Sequence, residues 1–152
     1  MSIKKRKCYQ LMVSKVFLKG MPNEGEETGF VRKIHSGDKK HTIRTNYEYW
    51  EYMFDQIQQD RAYLSVRYWS GKPYRSKHVI VKDFYKKDGI GLEKLEFTNN
   101  GAKINGRSNL VDLSDLAEND GLSYKQLLTW FKEEQNKALP LIHFTSMRYL
   151  NQ

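Results

Sequence analysis

The chain has 152 residues, with 26 Lys and Arg against 18 Asp and Glu, a formal charge of +8, and 13% aromatic side chains. This length fits one domain able to bury a core without disulfide or metal staples, and the aromatic share excludes a disordered polyelectrolyte. Cys8 is the only cysteine, which excludes an internal disulfide framework and a cysteine-rich zinc site, and no apolar run approaches the roughly 20 residues of a membrane helix.

The basic start, Met1-Ser2-Ile3-Lys4-Lys5-Arg6-Lys7, is charged like the n-region of a signal peptide. Only Leu11-Met12-Val13 follows where an h-region would stand, so a soluble, cytoplasmic protein of a reducing compartment is expected. The charge is uneven. Residues 1–110 hold 22 Lys and Arg and 12 Asp and Glu, whereas residues 111–152 hold 4 and 6. A polyanionic partner for the first part and a plainly solvated surface both fit that imbalance.

In chain order, Tyr9–Leu18 reads as a strand and Gly20–Gly25 as a loop. Glu26-Glu27 open a helix in which Phe30, Val31 and Ile34 share a face, and Gly37 stops it. His41–Arg44 is short and extended. Asn46 caps a helix running to Gln58, whose apolar stripe is Tyr49, Trp50, Met53, Phe54 and Ile57. Ala62–Trp69 alternates as a strand, Ser70-Gly71-Lys72-Pro73 turns, and Lys77–Phe84 returns. Leu92–Phe97 is a further strand, followed by turn-forming Asn99-Asn100-Gly101 and Asn105-Gly106. Asp112–Asn119 is a weak helix, and Ser123 caps a stronger one with Leu127, Leu128 and Phe131 inward. Leu141–Thr145 closes the chain as a strand. Strands interrupted by helices predict a single α+β domain over residues 1–152, built on a small, mostly antiparallel sheet or barrel.

Two segments carry candidate chemistry. Between Arg61 and Lys87 eight Lys and Arg face one acid, Asp83, with Tyr63, Tyr68, Trp69, Tyr74, Phe84 and Tyr85 interleaved. Single-stranded nucleic acid needs cations along its phosphates and ring faces under its bases. On a strand Arg67 and Trp69 share one face and Val66 and Tyr68 the other, so one face can be core and the other a basic–aromatic platform. Ordinary sheet packing explains the aromatics as well.

The second segment is Gly37-Asp38-Lys39-Lys40-His41-Thr42-Ile43-Arg44. If it is extended, Thr42 and Arg44 point the same way. A Thr hydroxyl becomes a nucleophile only beside a base, and a desolvated Lys39 near the Arg44 cation has the lowered proton affinity of one. Arg44 can also fork onto a phosphate or carbonyl oxygen. A solvated basic turn is the plainer alternative. The four histidines show no metal-ligand spacing and read as surface or packing residues, and Trp130-Phe131 reads as core.

The pattern Gly37-x-Lys39-x-x-Thr42-Ile43-Arg44, after the helical Val31–Ser36, resembles the signature of ASCH domains of the PUA-like superfamily. Ala62–Val66, the acidic turn Ala117–Ser123 running into Leu127–Phe131, and Leu141–Phe144 extend the similarity over about residues 9–147. The resemblance implies a small PUA-like β-barrel flanked by helices, with a cleft floored by the motif and a taste for RNA or nucleotides. Small bacterial ASCH proteins include an amidohydrolase of acetylated cytidine that uses a lysine, a threonine and a glutamate. Those roles carry over onto Lys39 and Thr42, while Asp120 stands at the acidic turn, one methylene shorter. No cofactor and no metal is implied.

The leading expectation is therefore RNA or modified-nucleoside binding by Gly37, Lys39, Thr42, Arg44 and Asp120, with Arg67, Trp69, Lys72 and Arg75 on strand or phosphate. Amide hydrolysis by Lys39, Thr42 and Asp120 is the catalytic alternative. A module binding an acidic protein is the third.

Overall fold

The computed structural model describes residues 5–149, so residues 1–4 of the basic start lie outside the described residues. In chain order it contains β1 (Lys7–Met12), α1 (Phe30–Ser36), β2 (His41–Ile43), α2 (Tyr47–Gln58), β3 (Ala62–Trp69) and β4 (His78–Phe84). After a 3-10 turn at Lys86–Asp88 come β5 (Gly91–Thr98), β6 (Gly101–Ile104), α3 (Leu113–Asn119), α4 (Tyr124–Trp130) and β7 (Leu139–His143).

The helix ends follow from local chemistry. Gly37 takes φ +86° and returns its N–H to Ile34, the left-handed stop that a side chain would resist. The Asn46 side chain accepts from the Tyr49 N–H at the start of α2. Asp112 does the same for Ser114 at α3, and Ser123 with Gln126 forms a reciprocal capping box on α4. α1 starts at Phe30 rather than at Glu26-Glu27, because Gly29 at φ +71° turns the chain just before it.

The strands form two sheets, β1-β3-β4 and β2-β7-β5-β6. Among the named strands every pairing is antiparallel except β1 with β3. Among the described residues these ladders do not close into one barrel. The chain is α+β, as the alternation of elements predicts. Both sheets share one core: Leu64, Val66 and Phe84 from the first meet Leu95, Leu139 and Leu141 from the second, and Phe84 stacks on Phe144 at 5.4 Å. α2 packs on β3, β5 and β7, pressing Trp50, Met53, Phe54 and Ile57 inward. β7 lies between β2 and β5 and is buried at all five positions, which is why its sequence is a continuous apolar run ending in His143.

Some expectations need correction. β1 ends at Met12, with Ser14 to Glu27 taken up by a loop in which Val16 bridges Glu27. β6 was hidden by its flanking turns: Gly101-Ala102-Lys103-Ile104 is too short to show alternation. Tyr49 (56% exposed) and Leu128 (37%) leave the stripes assigned to them, because each sits one step round its helix from the buried arc.

Candidate functional site

β2 runs beside β7, and its three residues are all buried. The turn ahead of it is fixed by three main-chain bonds: Lys39 N–H to Lys33, Lys40 N–H to Asn119, and Phe144 N–H to Lys40. This seats Lys39 deep inside, at 1% exposure, against the end of α3. Lys39 Nζ donates to the Asp120 carbonyl oxygen at 2.7 Å and to Asp120 Oδ2 at 3.3 Å, and lies 4.2 Å from the centre of the Phe30 ring. Asp120 closes α3, and Gly121 follows at φ +79°. A Cβ on Gly121 would lie 3.3 Å from Lys33 Cδ and 3.4 Å from Lys39 Cβ, so the turn is pressed between two lysines. Lys33 Nζ holds its other side by donating to the Gly121 carbonyl.

Arg44, partly buried, donates to Thr42 Oγ1 at 2.8 Å, to Ile43 O at 3.0 Å and to Met12 O at 2.7 Å, tying β2 to the end of β1. Lys39, Thr42, Arg44 and Asp120 line one small cavity with Phe30, Leu122, Trp130 and Phe131. Its free volume is about 20 Å³, room for about one water. Burial, reinforced by the Arg44 and Lys33 charges, pulls the Lys39 ammonium down to about 8 even though Asp120 pulls the other way. Lys39 is thus still mostly an ammonium at pH 7, but it sheds its proton far more readily than an ordinary lysine, which brings it within reach of proton-acceptor chemistry.

Phe30 also lines a second, open groove of about 710 Å³, with Phe17 and Tyr68 among its apolar walls and Lys15, Arg32 and Lys33 among its cations. This volume lies within the range of small-molecule clefts. Phe17, Phe30 and Trp130 pack edge and tilt at 6.0–6.4 Å and stand between groove and inner cavity. Trp130 is therefore a wall of the site rather than simple core.

Of the residues singled out from sequence, Lys39, Thr42, Arg44 and Asp120 meet; Gly37 shapes the turn before them and does not line the cavity. Arg67, Trp69, Lys72 and Arg75 lie elsewhere, on the β3–β4 hairpin. Arg67 Nε bonds Ser65 Oγ at 2.8 Å, Trp69 packs on His78 and Tyr74, and Lys72 and Arg75 are exposed. Tyr68, from the opposite face of β3, is the strand residue that reaches the groove.

His41, Tyr149, Glu93 and His143 were not foreseen as part of a network. His41 Nδ1 lies 2.8 Å from Asp120 Oδ1 and its Nε2 2.7 Å from Tyr149 Oη; His143 Nε2 lies 2.8 Å from Glu93 Oε1, which also accepts the Tyr149 N–H. All four are buried. A polar pair inside an apolar strand pattern was the available signal: His41 and His143 face each other across β2 and β7. Among the described residues no group of three or more His, Cys, Asp or Glu is placed to hold a metal ion, and no helix is long and apolar enough to cross a membrane.

No family model, no curated protein and no solved structure matches the chain.

Proposed function

We propose that the chain is an ASCH-type, PUA-like domain that binds RNA or a modified nucleoside, with the base entering the Phe30 groove toward Lys39. The observation that carries this reading is Lys39 itself. A protein gains nothing in stability by burying a lysine beside a second cation, Arg44, with a single carboxylate facing it. That surplus of positive charge suits a carbonyl or phosphate oxygen in the cavity. The groove outside offers ring faces for a base and cations for its phosphates. The hairpin residues Trp69, Lys72 and Arg75, at and beyond the end of β3 from Tyr68, extend the contact to a flanking strand. The support from the fold is coarse: two mostly antiparallel sheets on one shared core, with α2 packed on strands of both.

A second reading, amide hydrolysis of an acetylated-cytidine-type nucleoside, draws on one specific contact. Arg44 donates to Thr42 Oγ1, which leaves the hydroxyl proton free for a base, and Lys39 lines the same cavity. Neutral Lys39 would take that proton as Oγ1 adds to the amide carbon. The ammonium would return it to the departing amine, and water would then cleave the acyl-threonine, giving amine and acid.

Trp130, in the wall of the site, reports on both. In a Trp50→Phe, Trp69→Phe background, where Trp130 is the remaining indole, titration with cytidine, acetylated cytidine and a short single-stranded RNA at low salt should change its fluorescence with Lys39 in place and not in Lys39→Met. Absence of any response at low salt, with co-purification of an acidic protein that survives nuclease, overturns the reading. Release of cytidine that stops in Thr42→Val selects the hydrolytic form.

A further inference from the structure

The buried lysine has a polar chain behind it that leads away from the ligand groove. Asp120 Oδ2 faces Lys39 Nζ at 3.3 Å while Oδ1 faces His41 Nδ1 at 2.8 Å. On the far side of the imidazole, Nε2 meets Tyr149 Oη at 2.7 Å, and Asn119 Nδ2 donates to that oxygen at 3.0 Å. Asn119 and Tyr149 line a different open groove of about 500 Å³, whose rim carries Asp112, Asp115 and Glu118.

The tautomer that suits a relay has the His41 Nδ1–H on the Asp120 carboxylate. Nε2 is then an acceptor, so the Tyr149 hydroxyl donates to it while Asn119 Nδ2 donates to Tyr149 Oη. The Asp120 carboxylate presents one oxygen to Lys39 and the other to His41, the imidazole bridges Asp120 and Tyr149, and Lys39, His41, Asp120 and Tyr149 are all under 8% exposed.

We propose that Tyr149, His41 and Asp120 form a proton wire that connects Lys39 to solvent at the acidic groove, on the side away from the ligand. For an inward transfer, Tyr149 gives its hydroxyl proton to His41 Nε2, His41 Nδ1–H passes to Asp120 Oδ1, and the neutral Asp120 carboxyl then turns about its Cβ–Cγ bond, bringing the protonated oxygen to Lys39 Nζ, which takes the proton and leaves the carboxylate. Tyr149 is reprotonated by a water in the acidic groove, and His41 is left with its proton on Nε2. An outward transfer runs the same bonds in reverse and restores the first tautomer, so a cycle in which Lys39 gains and loses one proton leaves the wire unchanged. The wire lets Lys39 change state while a ligand seals the Phe30 side. Lys33 and Arg44, the other charges near Lys39, hold their hydrogens on main-chain and threonine oxygens and offer no equivalent path. Glu93, beside Tyr149, accepts that residue's main-chain N–H.

The role assigned to the wire rests on the reading of Lys39 as the working group of the site, but its test requires no ligand. In protein labelled with nitrogen-15 lysine, the exchange of the Lys39 ammonium hydrogens with water is measured by NMR in the wild type and in Tyr149→Phe. Cutting the wire should slow exchange about tenfold or more, whereas a purely structural role would loosen the site and speed it. His41→Asn, whose amide nitrogen can still donate to Asp120 but cannot relay through a ring, should slow it as well. Unchanged or faster exchange in the folded variants overturns the wire. If exchange slows but no nucleoside or RNA binds, the wire stands and the ligand reading falls; the reverse result removes the wire alone.

Discussion

Lys39 and Asp120 meet twice, once through the carboxylate at 3.3 Å and once through the carbonyl oxygen at 2.7 Å, and still the ammonium is held down to about 8 from 10.5. Desolvation outweighs the pairing. A lowering of that size corresponds to roughly 3 kcal/mol of folding stability given up below pH 8, at about 1.4 kcal/mol per pKa unit. The sign follows from proton counts. Between about pH 8 and 10.5 the unfolded chain keeps a proton that native Lys39 has shed, so stability rises with pH across that window. Tyr149 and Tyr63, both raised by their surroundings, oppose this above about pH 10, the ordinary tyrosine range. Urea unfolding at pH 7, 8, 9 and 10 should therefore show a rise that Lys39→Met flattens by about 2 kcal/mol. Parallel curves for the two proteins would mean that Lys39 is not desolvated.

His143 gives the opposite limb. Burial lowers its proton affinity, only partly offset by Glu93 at 2.8 Å, and its Nδ1 has no hydrogen-bond partner among the described residues. Below the ordinary histidine range of about 6.5 the unfolded chain binds a proton that the native imidazole refuses, so stability falls as pH drops from about 6.5. His143→Gln keeps a donor toward Glu93 without the titrating ring. Melting temperature between pH 7 and 5 should fall less steeply in this variant than in the wild type, and an equal fall in both would reject the assignment.

How much of this was legible in the sequence depends on range. Helix ends at Gly37, Asn46, Asp112 and Ser123 are local, because a cap is a bond between near neighbours, and each stands where its residue type says. The Lys39–Thr42–Arg44 part of the cavity is also local, carried on one turn and one short strand. Asp120 lies 81 residues from Lys39, and its place beside the lysine followed only from a family pattern. His41, Tyr149, Glu93 and His143 had no such pattern: single polar residues in apolar strands look like packing until β2, β7 and the chain's end are laid side by side. The separation of Arg67 and Trp69 from the groove was beyond reach for the same reason. Alternation shows that two strand faces differ, but only the fold says which of them the groove adjoins.

Gly121 tests how tightly the acidic turn is gripped. Its φ of +79° and the 3.3 Å and 3.4 Å approaches of Lys33 and Lys39 leave a methyl group strained in conformation and crowded in space. Gly121→Ala should cost about 1–2 kcal/mol by the left-handed penalty alone. Since the methyl pushes on Lys39 Cβ, it should also weaken the Trp130 fluorescence response to ligand, while Gly106→Ala, with the same positive φ but open space around it, should lose only stability.

The hairpin and the groove should separate in their salt behaviour. Lys72 and Arg75 are exposed beside the Trp69, Tyr74 and His78 ring cluster, with Tyr74 itself 88% exposed, and none of them touches the inner cavity. If they track the phosphates of a flanking strand, Lys72→Ala with Arg75→Ala should reduce the log–log salt dependence of single-stranded RNA affinity by about 1–2, since each phosphate contact contributes about 0.7. The free nucleoside carries no phosphate and should bind this double variant as it binds the wild type. Tyr68→Ala, which strips a groove wall, should weaken nucleoside and RNA alike with the salt slope unchanged. Fluorescence titrations at several salt concentrations distinguish the two patterns, and a double variant that loses nucleoside binding would place the hairpin in the pocket rather than beside it.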